Sequence, residues 1–173
     1  EETVVGGVEY LMAPFMAFML GGIPVLLMCV VVISSYHAFG TAHPRQRFFG
    51  AAPRFLYEAA LFIPSCVSGF IFALGSVVIG KSSPFRAVRM MLAQAKGFRP
   101  FAQGIVIAAF SGALGIVLGG PRRHDAEFVE TQPWIGPEEG TARSTPDDLQ
   151  RGTLLILVIY LTVMAVTAAV IAF

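Results

Sequence analysis

Cysteine is nearly absent. Its two residues, Cys29 and Cys66, both sit inside apolar stretches, which excludes a disulfide framework and gives no metal-ligand spacing. Charge is scarce too: Asp, Glu, Lys and Arg make up 13% of 173 residues, against 55% hydrophobic residues and a mean hydropathy of +0.72. A chain of this size cannot cover so apolar a composition with polar surface, so a water-soluble globular domain is excluded. Twelve Lys and Arg against eleven Asp and Glu leave a net charge of +1, with no excess to attract a nucleic acid. Walker loops, dinucleotide fingerprints, nucleophile elbows and metalloprotease helices are all missing. A basic n-region is missing as well. The chain opens with Glu1, Glu2 and Glu9 and has no initiating Met, which argues against a cleavable secretory signal and for a processed, truncated or fragmentary start.

What is present is long uncharged sequence. Residues 10–36, 59–80, 100–121 and 152–173 contain no Asp, Glu, Lys or Arg, and each run reaches the roughly 20 residues that cross a hydrocarbon core of about 30 Å. The expectation is an all-α, polytopic integral membrane bundle forming a single membrane domain over 1–173, with a polar loop at 122–151. Its bilayer is the bacterial inner (cytoplasmic) membrane. In the first run, Pro14 and Gly21-Gly22-Ile23-Pro24 predict a kink or a break, and a full break makes a re-entrant hairpin. Pro64 is the corresponding breaker in the second run. The third is rich in small residues: Gly104, Ala108 and Gly112 form one four-residue ladder, Ser111 and Gly115 another, and both favour close helix packing. The last run is Leu-, Ile- and Val-rich without Pro, an ordinary spanning helix.

The connections differ in charge: +2 over 37–58, +5 over 81–99 and −3 over 122–151. Within 81–99, Ser83 as N-cap, Pro84, the spacing of Phe85, Val88 and Leu92, and Gly97 predict a basic amphipathic surface helix. Arg86, Arg89 and Lys96 lie largely off that stripe. Every connection carries Lys or Arg, which conflicts with the positive-inside rule under simple alternation. One of the first two runs is therefore a hairpin or a re-entrant segment.

Candidate chemistry is sparse. His37, His43 and His124 lie on two different connections and show no metal-ligand spacing. Asp125, Glu127, Glu130, Glu138 and Glu139 read as a solvated loop, and Trp134 suits a membrane interface. Glu58 follows Tyr57 at the edge of the second run, where an ionisable group is a candidate functional residue. Arg45, Arg47 and Arg54 suit phosphates or lipid headgroups.

The order of these pieces resembles the CobD/CbiB family, membrane proteins of cobalamin biosynthesis that join aminopropanol or its phosphate to cobyric acid. The likeness runs over the whole chain. It is carried by Ala13-Pro14 leading to Gly21-Gly22-Ile23-Pro24; by Arg45, Arg47, Phe49 and Gly50; by Ile63-Pro64; by the run from Ser111 to Pro121; and by Pro133-Trp134-Ile135-Gly136. The departures fall where the family carries polar residues. Its Glu-Asn is Val5-Gly6, and its Asp-Gly is Glu9-Tyr10. Asn-Thr-Leu-Asp is Ile33-Ser34-Ser35-Tyr36, and Arg-Leu-Asp-Asp is Phe55-Leu56-Tyr57-Glu58. Ile-Pro-Ala-Arg is Ile63-Pro64-Ser65-Cys66, and Ser-Pro-Asn-Ala-Gly is Pro100-Phe101-Ala102-Gln103-Gly104.

The resemblance implies a fold-preserving, catalytically degenerate relative that packs as a subunit or accessory of a membrane complex, with other membrane protein chains and lipid as partners. The family's N-terminal segments have no counterpart here, so a fragment or a partner chain is expected. The alternative is an active synthase, in which Glu9 and Glu58 are the catalytic candidates and Arg45 and Arg47 bind substrate. A corrinoid partner follows only from that alternative. No cofactor and no metal ligand can be named from the sequence.

Overall fold

A computed structural model describes residues 2–40, 50–78, 84–123, 129–137, 140 and 145–172. Helix α1 (Glu2–Gly7) runs through a π-helical turn (Val8–Met12) into α2 (Ala13–Phe39); α3 spans Ala51–Val78 and α4 Pro84–Gln94. A 3-10 turn (Ala95–Gly97) leads to α5 (Phe101–Leu114), strands β1 (Leu118–Arg123) and β2 (Val129–Ile135), and α6 (Pro146–Ala172). The protein is thus a helical bundle of the membrane type, with a small two-stranded sheet. Three of its helical stretches, Glu2–Phe39, Ala51–Val77 and Pro146–Ala169, are long and apolar enough to cross a bilayer.

The first of these does not run straight. Gly21 (φ −156°, ψ 21°) and Gly22 (φ 66°, ψ −152°) leave the helical region, and the positive φ of Gly22 is one that a side chain resists. A straight helix would hold residues 9 and 37 about 42 Å apart at its 1.5 Å rise. Instead His37 Nε2 lies 2.8 Å from Glu9 Oε2. Ala13, Ala17, Cys29 and Ile33 share one buried cluster, and the pairs 9 and 37, 13 and 33, and 17 and 29 are each symmetric about residue 23. The stretch is therefore folded back on itself as a helical hairpin. The backbone before Pro14 stays helical (Met12 φ −68°, ψ −45°; Ala13 φ −67°, ψ −47°), so the break belongs to the Gly-Gly pair. Helix α3, by contrast, is continuous through Pro64.

The third apolar run is helical only as far as Leu114. Gly115, at φ 75°, caps α5 in the left-handed conformation, its N–H returning to Ser111 O, and the rest of the run enters β1. At about 21 Å, α5 is too short to cross a 30 Å core alone. Its apolarity serves the protein interior: apart from Gln103, residues 102–114 are all buried.

Small residues set that packing. A Cβ at Gly112 would lie 2.7 Å from Ala87 Cα, and one at Gly104 2.7 Å from Ala95 O, so α4 lies antiparallel to α5 at backbone contact. On the other side of α4, Met91 Sδ sits against Gly69 of α3. The face that α4 buries is Ala87, Met91 and Ala95, whereas Phe85 and Leu92 of the expected apolar stripe point outward. Small side chains admit the closer approach. Arg86 also departs from expectation: its Nε donates to Gly112 O at 3.0 Å and its guanidinium packs on Gly115. Ser83, the expected N-cap, lies outside the described residues.

Helix α3 runs parallel to α5, with Glu58 at Phe101 and Phe72 edge-on to Phe110 at 5.3 Å. Helix α6 starts beside the end of α5, with Gly152 against Phe110 and Leu114, and runs back past Gly75 through Leu155 and Val158. Thr145 caps its start. Thr145 and Asp148 bond reciprocally (Thr145 N–H to Asp148 Oδ2 at 2.9 Å, Asp148 N–H to Thr145 Oγ1 at 3.3 Å), with Pro146 following the cap.

Across the boundary between the third run and the expected polar loop, β1 and β2 pair antiparallel, Leu118 opposite Ile135 and Gly119 opposite Trp134. Gly119 and Gly120 take φ of 93° and 89°, and the Trp134 ring covers Gly120 so closely that a Cβ there would overlap it. Ser111 Oγ ties the hairpin base to α5, donating to Ile116 O at 2.6 Å and lying 3.1 Å from Ile135 O. Two stretches that carry the family likeness, Ser111 to Pro121 and Pro133 to Gly136, are therefore one packing unit.

Candidate functional site

Glu9 is a carboxylate on an apolar helix, and burial without partners would be prohibitive. The structure buries it to 2% exposure and supplies the partners. Tyr57 on α3 donates its hydroxyl to Glu9 Oε1. Gln103 on α5 donates from Nε2 to the same oxygen at 3.1 Å and to the Tyr57 hydroxyl at 2.9 Å. His37, from the returning leg of α2, reaches Oε2 at 2.8 Å. Four segments thus meet on one carboxylate. Aromatic rings enclose it: Tyr36 stacks on Tyr57 with centroids 3.9 Å apart, and Tyr10 stacks on His37 at 6.2 Å. Tyr57 is fully buried, while the His37 side chain is 45% exposed and faces the open end of the hairpin.

Glu58, one residue along α3, points elsewhere. Its Oε1 accepts the Phe101 N–H at 2.5 Å and its Oε2 the Ala102 N–H at 2.9 Å. The first N–H groups of a helix have no partner within it, and its N-terminus carries partial positive charge, so a carboxylate there is strongly held. Both Glu58 oxygens are engaged in capping α5. On the same end of the bundle, Arg54 Nη2 donates to Gly40 O at 3.1 Å, joining the end of α2 to the start of α3.

Of the candidates read from the sequence, Glu9 and Glu58 lie at one end of the bundle, each with its own partners. Arg45 and Arg47 fall outside the described residues, in the connection between Gly40 and Gly50. Gly104, Ala108, Gly112 and Gly115 lie on α5 and its cap; Gly104 adjoins Gln103 but packs on Ala95 and Phe98, and Gly112 and Gly115 pack on Ala87 and Arg86. Sequence reasoning did not connect His37, Tyr36 and Gln103 with Glu9. One signal was present: positions 9 and 37 are symmetric about the Gly21-Gly22-Ile23-Pro24 break. Among the described residues no three His, Cys, Asp or Glu side chains gather around a point that could hold a metal ion.

A bundle of apolar helices, a short hairpin over its buried fifth helix and a polar cluster at one end define a polytopic membrane protein with a single candidate site. Which one is decided by comparison. The family model described as CobD/Cbib protein matches residues 4–156, and the chain belongs to that family. Relatives named cobalamin biosynthesis protein CobD include those of Brucella suis (34% identical over 121 residues, 69% of this chain and 37% of the relative) and Clostridium acetobutylicum (32% over 129 residues, 75% and 40%). Geobacter metallireducens has another (31% over 156 residues, 88% and 48%). The chain thus spans less than half the length of these relatives. No solved structure matches it significantly. Glu9, Tyr36, Tyr57 and Gln103 lie together in space, although they come from separate parts of the sequence.

Proposed function

We propose that this chain is a membrane protein of cobalamin biosynthesis, in the bacterial cytoplasmic membrane, that has lost the aminopropanol condensation. It acts as a subunit or accessory of a membrane complex, with residues 1–173 as one membrane domain. The observation that carries the reading is the closure of the Glu9 cluster. Acyl activation requires acceptors and donors left free for a substrate. Here Tyr57, Gln103 and His37 already occupy the buried carboxylate, and Glu58 is taken up by the α5 N-terminus. Tyr36 and Tyr57 stand where the family carries acids, so bulky aromatic rings fill the space beside Glu9.

The test is turnover. Membranes bearing the chain, from a host without its own synthase, are given adenosylcobyric acid, aminopropanol phosphate and ATP, and cobinamide products are read by mass spectrometry. No product, with the protein folded and inserted, is the expected result. Product above empty membranes instead supports the active synthase, with Glu9 and Glu58 as catalytic groups and Arg45 and Arg47 on the substrate. Loss of that product in Arg45→Ala or Arg47→Ala would confirm those assignments.

A further inference from the structure

The outward face of α4 is unusual for its position. Met91, in the middle of α4, packs on Gly69, and Gly69 lies at the midpoint of the uncharged run 59–80 of α3. Helix α4 therefore lies beside the centre of a spanning helix. The face it turns away from the bundle carries Phe85 (76% exposed) and Leu92 (66% exposed), which with Val88, Arg89 and Ala93 line an open groove of about 330 Å³. Arg89 is exposed within that groove, and no described carboxylate pairs with it. The whole segment 81–99 contains no Asp or Glu. A guanidinium set among apolar side chains at this depth is unfavourable against acyl chains and favourable against a carboxylate, which it binds through two parallel N–H donors.

Resting on the subunit reading above, we infer that this face is the docking surface for a membrane-embedded helix of another polypeptide, one that presents an apolar ridge to Phe85 and Leu92 and an Asp or Glu to Arg89. The groove accepts the ridge of a crossing helix, and the buried charge fixes its register. The occupant is not a second copy of this chain. Of the acids in its described apolar helices, Glu9 and Glu58 are already engaged, and Glu2, Asp147 and Asp148 stand in the first turns of their helices, away from the mid-span level of Arg89.

The test places a photoreactive amino acid at Leu92, with Met164 on the exposed side of α6 as the comparison site, in native membranes. It also measures co-purification in mild detergent for Arg89→Leu and Arg89→Lys, with monodispersity on size exclusion as the folding check. The expected result is one discrete protein adduct from position 92, whose cross-linked peptide is an apolar helix containing Asp or Glu. Recovery of that protein falls at least tenfold in Arg89→Leu and largely persists in Arg89→Lys. A lipid-facing surface behaves in the opposite way, since Arg89→Leu makes it more apolar. Lipid adducts alone from position 92, or an adduct with a second copy of the chain, overturn the proposal. A partner recovered undiminished in Arg89→Leu and cross-linked elsewhere overturns this face but leaves the subunit reading standing. A monodisperse protein without any partner overturns both.

Discussion

Removing the Glu9 carboxylate deprives the Tyr57 hydroxyl, the Gln103 amide and the His37 imidazole of their shared acceptor at once. A buried donor left unpaired costs about 1–3 kcal/mol. Glu9→Ala is therefore expected to destabilise by about 2–3 kcal/mol, and Tyr57→Phe, which leaves two donors on Glu9, by about 1 kcal/mol. Thermal unfolding in detergent checks the order, with about 2–4 °C per kcal/mol for a chain of this size. Glu58 gives an independent measurement. Glu58→Ala exposes two N–H groups of α5 and is expected to cost about 1–2 kcal/mol; Glu58→Gln, which keeps one carbonyl acceptor, recovers about half. Equal effects from Ala and Gln would remove the capping role. The exposed ends of α6 offer the contrast, because the Arg151 to Asp147 pair at 3.8 Å is solvent-exposed on the acid side and contributes little.

At the scale of elements, the glycines divide by what they touch. A methyl group at Gly112 meets the backbone of α4, which cannot yield without moving the helix, whereas one at Gly69 meets the flexible end of Met91. Gly112→Ala is therefore expected to cost about 1–3 kcal/mol by overpacking, and Gly69→Ala distinctly less, both read as unfolding midpoints. Much of this layer was legible in the sequence: the Gly-Gly-Ile-Pro break, the small-residue ladder of α5, the amphipathic α4 and the capped start of α6 are all local patterns. The misses have local causes too. The third run, 100–121, was uncharged throughout, and charge alone does not distinguish a helix buried by protein from one buried by lipid; only Gly115 and the Gly119-Gly120-Pro121 turn mark its end. Phe85 and Leu92 looked like part of the buried face of α4, but Ala87 and Ala95 fit against glycine where those larger residues could not. The site was half legible. Glu9 and Glu58 stood out as acids beside apolar runs, while His37, Tyr36 and Gln103 joined Glu9 only once the hairpin brought residues 28 and 94 positions apart into contact.

For the molecule as a whole, the folded first stretch decides sidedness. With its two legs antiparallel, residues at its two ends emerge on the same side of the bilayer. In a cysteine-free background, Glu2→Cys and Phe39→Cys are expected to react with a membrane-impermeant maleimide from the same face. Labelling from opposite faces would identify a straight span and would falsify the hairpin. The family likeness is distributed in the same global way. Its Gly and Pro motifs at Ser111 to Pro121 and Pro133 to Gly136 hold α5 and the β-hairpin together.

The doubled α2 also bears on biogenesis. A segment that returns to its own side cannot act as a stop-transfer signal, because neither leg commits the following polypeptide to translocation. Insertion then depends on the long helices α3 and α6.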